Sequence, residues 1–199
     1  MTNTMFKDFE FLPGTDNLLV GKIPDEIFLE IAKFVDHCRK IKDHPLGSLY
    51  NHENNGENSY QISIPKPLLE ESFLFPYLIK LGECFLKKHN IIVDRHQRPV
   101  RLRSNFNHFD GYDCWINFTN KGDGNPVHSH AGDFSGVIYY SNIDQCPTIF
   151  ENNIGYAGQE KEIILFPASM RHSVNTHNSN NERITLSFNL YLIENFMRA

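Results

Sequence analysis

The spacing of hydrophobic residues changes near residue 96. Between Pro24 and Lys40 apolar residues recur at helical intervals, and a second helical pattern runs from Pro67 to His89. Pro24 stands where a helix can begin, and we expect Pro76 to break the second helix. Residues 1–95 are therefore predicted to be the helical part of the chain.

The remainder of the chain has the pattern of short strands, rich in β-branched and aromatic residues and separated by turn residues. The predicted strands are Val100–Phe106, Tyr112–Thr119, Ser135–Ser141, Thr148–Glu151, Glu162–Phe166 and Arg183–Ile193. Strands at this spacing predict a mainly-β sandwich or jelly roll over residues 96–195, with the N-terminal helices packed on one outer face. A chain of 199 residues is expected to form a single domain.

Two histidines one residue apart, His128 and His130, point to the same side if their segment is a strand, because side chains alternate with period two. A third histidine, His172, precedes another predicted strand and could complete a metal site from a neighbouring position. Any one of these histidines alone is more often a hydrogen-bonded structural residue. The ordered set of three indicates metal binding much more strongly.

Arg183 follows His172 by 11 residues (183 − 172) and begins the last predicted strand. A cation near a metal that does not ligate it suggests a carboxylate co-substrate between the two. In the strand Tyr112–Thr119, the even positions from Cys114 form an apolar face. Trp115 and Asn117 face the other way, where they either line a pocket or simply pack.

Composition excludes some classes of function. The net charge of −5 gives no field that would attract nucleic acid, and Arg95–Arg103 is the only basic cluster. No apolar run approaches the roughly 18 residues that span a bilayer, and the first residues lack a signal-peptide pattern. The four cysteines form no Cys-x-x-Cys pair, which is typical of reduced thiols in a cytoplasmic protein.

The ordered motifs over residues 100–193 resemble those of the 2-oxoglutarate- and iron(II)-dependent oxygenases. They are most similar to small phage and bacterial members of that family, with a comparable His-x-His-x-Gly segment and a Phe-Pro-Ala…His…Arg-Ile tail. The resemblance implies a double-stranded β-helix fold. For a phage-encoded member it also implies a location in the host cytoplasm.

The resemblance also implies roles for individual residues. His128 and His172 match the first and distal metal ligands, and Arg183 matches the residue that binds the far carboxylate of 2-oxoglutarate. Tyr139 matches a tyrosine whose hydroxyl reaches that carboxylate, and three further polar residues are expected to line the same pocket. These are Thr185, Ser187 and Asn117.

One position departs from the family pattern, which has a carboxylate two residues after the first histidine. This chain has His130 there, and Asp133 follows after Ala131 and Gly132. The second ligand is therefore His130, Asp133 or a water, and strand parity favours His130. Three neutral imidazoles would leave the metal its full +2 charge, which a bound 2-oxoglutarate dianion would neutralise.

The resemblance implies an iron(II)-dependent dioxygenase that uses molecular oxygen, converts 2-oxoglutarate to succinate and oxidises a second substrate. That substrate is unidentified, as is the oligomeric state. Two alternatives remain at this point: a zinc-dependent hydrolase or lyase with a three-histidine site, and a non-catalytic jelly-roll binding module. The remaining histidines, including His89 and His177, are expected at the surface or in loops.

Overall fold

The computed structural model describes residues 6–41, 51–52, 59–89, 100–102, 104–105 and 111–192. The predicted strand ends at Phe106 and Ile193 lie outside these residues, as do most of the basic cluster and His44, His96 and His108. Within the described part of the chain, no helix is both long enough and apolar enough to cross a membrane.

The helices are α1 (Asp25–Ile41), α2 (Lys66–Glu70) and α3 (Leu74–Lys88). Helix α1 starts one residue after Pro24, in agreement with the sequence pattern. The second helical pattern is interrupted at residues 71–73, close to Pro76, although Pro76 itself lies inside α3 and does not break the helix. Pro76 lies in the first turn of α3, where a backbone N–H has no intrahelical partner and its absence costs little.

The described strands, in chain order, are β1 (Glu10–Phe11), β2 (Leu19–Lys22), β3 (Asn51–His52), β4 (Tyr60–Pro65), β5 (Val100–Leu102), β6 (Ser104–Asn105), β7 (Gly111–Thr119), β8 (Asn125–His128), β9 (Phe134–Ser141), β10 (Thr148–Phe150), β11 (Ile154–Tyr156), β12 (Glu162–Pro167), β13 (His172–Val174) and β14 (Arg183–Leu192). A short 3-10 turn, Glu151–Asn153, joins β10 to β11. The predicted strands agree with these bounds to within one or two residues, except that Val100–Phe106 divides into β5 and β6.

Two antiparallel sheets face each other, as in a jelly roll. The larger has the order β1-β2-β12-β9-β14-β7-β4-β3, and the smaller has the order β11-β10-β13-β8. Strand β14 lies between β9 and β7, so its side chains occupy the middle of the larger sheet. The predicted mainly-β jelly roll is therefore confirmed.

The outer face of the larger sheet is apolar and buried. Cys114, Ile116 and Phe118 of β7 are each fully buried in one hydrophobic cluster, which also contains Ile31 of α1 and Leu81 of α3. Because alternate residues of a strand face opposite sides, Trp115 and Asn117 of β7 are directed to the inner face. The apolar alternation read from the sequence thus determines which residues can line the space between the sheets.

Four strands of the larger sheet, β1 to β4, were missed in the part of the sequence predicted to be helical. Strand β2 pairs with β12, and β4 pairs with β7. In β4, Tyr60, Ile62 and Ile64 alternate with more polar residues, so the period-two signal was present but short. The region before residue 96 therefore supplies strands as well as helices.

The packing at the centre of the larger sheet can be tested by a substitution at Gly136 in β9. A Cβ placed there would lie 2.2 Å from the Phe188 ring, which is itself fully buried. We expect Gly136→Ala to lower the free energy of unfolding by about 1–3 kcal/mol, because the ring has no room to move. Gly155→Ala is the matched control, since its Cβ would meet nothing closer than 3.4 Å. Equal denaturation midpoints for the two variants would contradict this packing.

Candidate metal and carboxylate site

Three histidines converge between the two sheets. His128 ends β8 and His172 begins β13, and these two residues are direct partners in the antiparallel register. His130 follows β8 by two residues, and the three ring centroids lie 4.3–5.1 Å apart. One ring nitrogen from each lies within 4.8 Å of the others, a spacing that suits a single bound ion. The structure thus brings together all three predicted metal ligands.

Backbone carbonyls orient two of the rings. His128 Nδ1 lies 2.7 Å from the Pro126 carbonyl oxygen, and His172 Nδ1 lies 3.0 Å from that of Met170. A carbonyl only accepts, so Nδ1 must carry the proton and donate it in each case. The Nε2 lone pair is then available to a metal, which is the arrangement that ligating histidines ordinarily have.

His172 is held in the neutral form that a metal ligand needs. It is 5% exposed, and burial lowers the pKa of its imidazole to about 4. The hydrogen bond to the Met170 carbonyl raises this pKa by less than burial lowers it, and nearby His128 makes a still smaller lowering contribution. At neutral pH the ring is therefore uncharged and able to donate a lone pair. Three neutral nitrogens suit iron(II) or zinc equally well by donor type.

Asp133 is directed away from this cluster. Its Oδ2 accepts a hydrogen bond of 2.7 Å from the backbone N–H of Leu192, and the residue is exposed. The chain turns at Gly132, whose φ of +120° favours glycine, and the Asp133 backbone bonds to Leu190 and Ala168. The geometry therefore favours His130 over Asp133 as the second ligand.

Arg183 lies at one end of the space between the sheets, at the start of β14. It is 3% exposed, and one Nη2–H donates to Thr148 Oγ1 at 3.3 Å. Its Nε–H finds no acceptor among the described residues, and no carboxylate in that part of the chain forms an ion pair with it. A buried guanidinium without a counter-charge is costly, so this end of the cavity is suited to an anion.

The Tyr139 ring packs against the Arg183 guanidinium and does not line the cavity. Its ring centroid is 5.4 Å from the Arg183 guanidinium carbon, and its side chain is fully buried. The hydroxyl contacts Thr148 Oγ1 at 2.9 Å and the Tyr156 carbonyl at 3.2 Å. Burial raises the pKa of this phenol, so it stays protonated at neutral pH.

Polar side chains from the two central strands form the wall between these ends. Asn117 donates to Thr185 Oγ1 at 3.1 Å and to Ser187 Oγ at 2.9 Å. The Asn117 carbonyl in turn accepts from Trp115 Nε1 at 3.0 Å. All four residues line the cavity, so the pocket alternative holds for Trp115 and Asn117.

The histidines and Arg183 share one cavity of about 670 Å³. Their separation follows from the smaller sheet, where β10 pairs with β13. Phe150 stands opposite His172, and Thr148, the partner of Arg183, is two residues earlier on the same strand. Thr148 is therefore displaced by about 7 Å along β10 from the residue opposite His172.

Two features of this region were not anticipated from the sequence. Thr148 was recognised only as the start of a strand, because a lone threonine in a β-run has no distinguishing signal. His177 was expected at the surface or in a loop; it does lie in the loop before β14, but it is 3% exposed, with its Nε2 against the Asn181 carbonyl and its backbone paired with Asp123. It closes the turn before β14 and lies outside the histidine cluster.

Metal binding tests the three-histidine arrangement directly. We expect His130→Ala to weaken binding of cobalt(II) by more than about tenfold, because one of three nitrogen ligands is lost. Asp133→Asn is the control and should bind cobalt(II) like the wild type, since its side-chain oxygen can still accept from Leu192. Isothermal titration measures both, and loss of binding in Asp133→Asn alone would reverse the ligand assignment.

Comparisons with known proteins point to one group of folds. A family profile described as "Putative 2OG-Fe(II) oxygenase" matches residues 148–189, a segment that contains Thr148, His172 and Arg183. A search of curated proteins by sequence gives no match.

Several solved structures are similar to this chain over most of the length of both proteins. A 2OG-Fe(II) oxygenase family oxidoreductase from Burkholderia pseudomallei is 15% identical with a TM-score of 0.56, over 92% of this chain and 93% of that one. A prolyl hydroxylase from Trichoplax adhaerens, solved with a hypoxia inducible factor peptide, is 12% identical with a TM-score of 0.53, over 100% and 90%. HygX from Streptomyces hygroscopicus, solved with nickel, 2-oxoglutarate and hygromycin B, is 10% identical with a TM-score of 0.52, over 96% and 86%.

These structures differ widely in sequence from the present chain, and what they share with it is the arrangement of strands. The family profile adds a match over the strands that contain the distal histidine and the arginine. The chain therefore has the jelly-roll fold of the 2-oxoglutarate- and iron(II)-dependent oxygenases.

Proposed function

We propose that this protein is an iron(II)- and 2-oxoglutarate-dependent dioxygenase that oxidises a second substrate with release of succinate. The observation that supports it most is that a three-histidine cluster and a buried Arg183, which has no ion-pair partner among the described residues, share one cavity. A zinc site that activates water needs the histidines but has no need of the guanidinium. We also propose that the chain forms a single oxygenase-like domain.

The residues present fit both groups that this activity requires. His128, His130 and His172 would hold the metal through nitrogens that the carbonyl contacts leave available. When bound, iron(II) with 2-oxoglutarate and molecular oxygen supplies the oxidising chemistry. The neutral ligands leave the ion its full charge, so the site as a whole favours a dianionic co-substrate.

The protein's own residues bind and orient that co-substrate. The Arg183 guanidinium would donate to the far carboxylate, a charge-assisted bond from a nearly fully buried residue that lines the cavity. Thr185, Ser187 and Asn117 supply hydrogen-bonding groups along the wall between Arg183 and the histidines. These contacts would direct the keto-acid end of the molecule towards the metal ligands.

The rest of the cavity has room for a polar second substrate, either a small molecule or a protein side chain. On β14, Asn189 is six residues (189 − 183) beyond Arg183, about 20 Å along the strand. Ser135 donates to Asn189 Oδ1 at 2.6 Å, and Asn189 donates to Asp113 Oδ2 at 3.3 Å. This end of the cavity therefore presents a polar surface and is suited to hydroxyl, amine or amide groups.

The role of Arg183 can be measured as co-substrate affinity. We expect Arg183→Met to weaken binding of 2-oxoglutarate to the cobalt(II)-loaded protein by about 100-fold, because a buried charged partner is removed. Affinity for cobalt(II) itself should stay unchanged, since Arg183 ligates no metal.

Arg39→Met is the matched control for this experiment. Arg39 is an arginine at the surface that pairs with Glu182, the residue before Arg183, at 2.6 Å. We expect it to bind 2-oxoglutarate like the wild type and, with iron(II) and oxygen, to produce succinate at the wild-type rate. A wild-type protein that binds cobalt(II) but shows no affinity for 2-oxoglutarate would refute the proposed function.

A further inference from the structure

The contacts around Tyr139 and Thr148 determine which atom donates each hydrogen bond. The Tyr156 carbonyl can only accept, so the single Tyr139 hydroxyl proton is directed to it at 3.2 Å. The Thr148 proton is then directed to the Tyr139 oxygen at 2.9 Å, and Thr148 Oγ1 accepts from Arg183 Nη2 at 3.3 Å. The result is a chain of hydrogen bonds that runs in one direction, from Arg183 to the Tyr156 backbone.

This chain of bonds is fixed at both ends. The β10–β11 register places Thr148 directly opposite Tyr156, so both partners of the Tyr139 hydroxyl lie side by side. A Cβ at Gly158 would lie 2.2 Å from the Tyr139 ring, which shows how closely the backbone packs against it. Tyr139 therefore has no free proton to offer and no room to rotate towards the cavity.

We propose that Thr148 and Tyr139 act as one positioning unit that fixes the Arg183 guanidinium, and that neither hydroxyl donates a hydrogen bond to the co-substrate. Thr148 holds Nη2 and Tyr139 holds Thr148, which leaves the Nε–H of Arg183 for the far carboxylate. This inference rests on the proposed function. It differs from the role that the sequence resemblance implies for Tyr139, namely direct contact with the carboxylate.

A double-mutant cycle distinguishes a single unit from two independent ligands. The variants are Thr148→Val, Tyr139→Phe and the double substitution, each loaded with cobalt(II). The ligands are 2-oxoglutarate and 2-oxobutanoate, which has the same keto-acid group but lacks the far carboxylate. Binding of each is measured by isothermal titration.

We expect each single variant to bind 2-oxoglutarate about tenfold more weakly, because the guanidinium loses its fixed direction. The double variant should be no weaker than the singles, since breaking the chain of bonds twice has the same effect as breaking it once. Affinity for 2-oxobutanoate should be unchanged throughout, and Thr148→Ser should restore 2-oxoglutarate binding to within about twofold.

Other outcomes would overturn the inference. Effects that multiply to about 100-fold in the double variant would mean that the two hydroxyls contact the ligand independently, and unchanged affinity in both singles would mean that they do not position Arg183. Should Thr148→Val fail to fold, Tyr139→Phe still tests the inference, because unchanged affinity of that variant for 2-oxoglutarate would contradict a positioning role for Tyr139. A wild-type protein that binds both keto acids equally would refute the proposed function itself.

Discussion

The candidate site depends on one buried positive charge, Arg183, that has no counter-charge among the described residues. Arg183 begins the central strand of the larger sheet and is almost fully enclosed, yet its nearest polar partner is a neutral hydroxyl. Removing a guanidinium from water is unfavourable unless an anion compensates it. A buried arginine at the end of a cavity is therefore a suitable partner for an anionic ligand.

At the histidine cluster, the positive charge would come from a bound metal ion and not from a side chain. Burial lowers the pKa of the His172 imidazole and keeps that ring uncharged at neutral pH. No carboxylate from the described part of the chain joins the cluster, and Asp133 instead accepts a hydrogen bond from the backbone at the end of β14. A divalent ion held by these rings would keep a charge of +2, so both ends of the co-substrate site would be positive. This arrangement matches a dicarboxylate with one acid group at each end.

Much of this arrangement could be predicted from the sequence, and the exceptions have physical reasons. The strand bounds and the inward positions of Trp115 and Asn117 followed from period-two alternation. The histidines and Arg183 were recognisable because each is an unusual residue for the inside of a strand. Thr148 was not, because threonine is common in strands and only the pairing of β10 with its neighbours places it beside Arg183. His177 lies in a loop, as expected, but its burial could not be read from the polar, Asn-rich sequence around it.

The most direct test is a crystal structure of the protein with cobalt(II) and 2-oxoglutarate, in which anomalous scattering locates the ion. We expect the ion to be bound by the Nε2 atoms of His128 and His172 together with His130, and the far carboxylate to be bound by Arg183. An ion bound elsewhere, or a dicarboxylate that leaves Arg183 without an anionic partner, would contradict it.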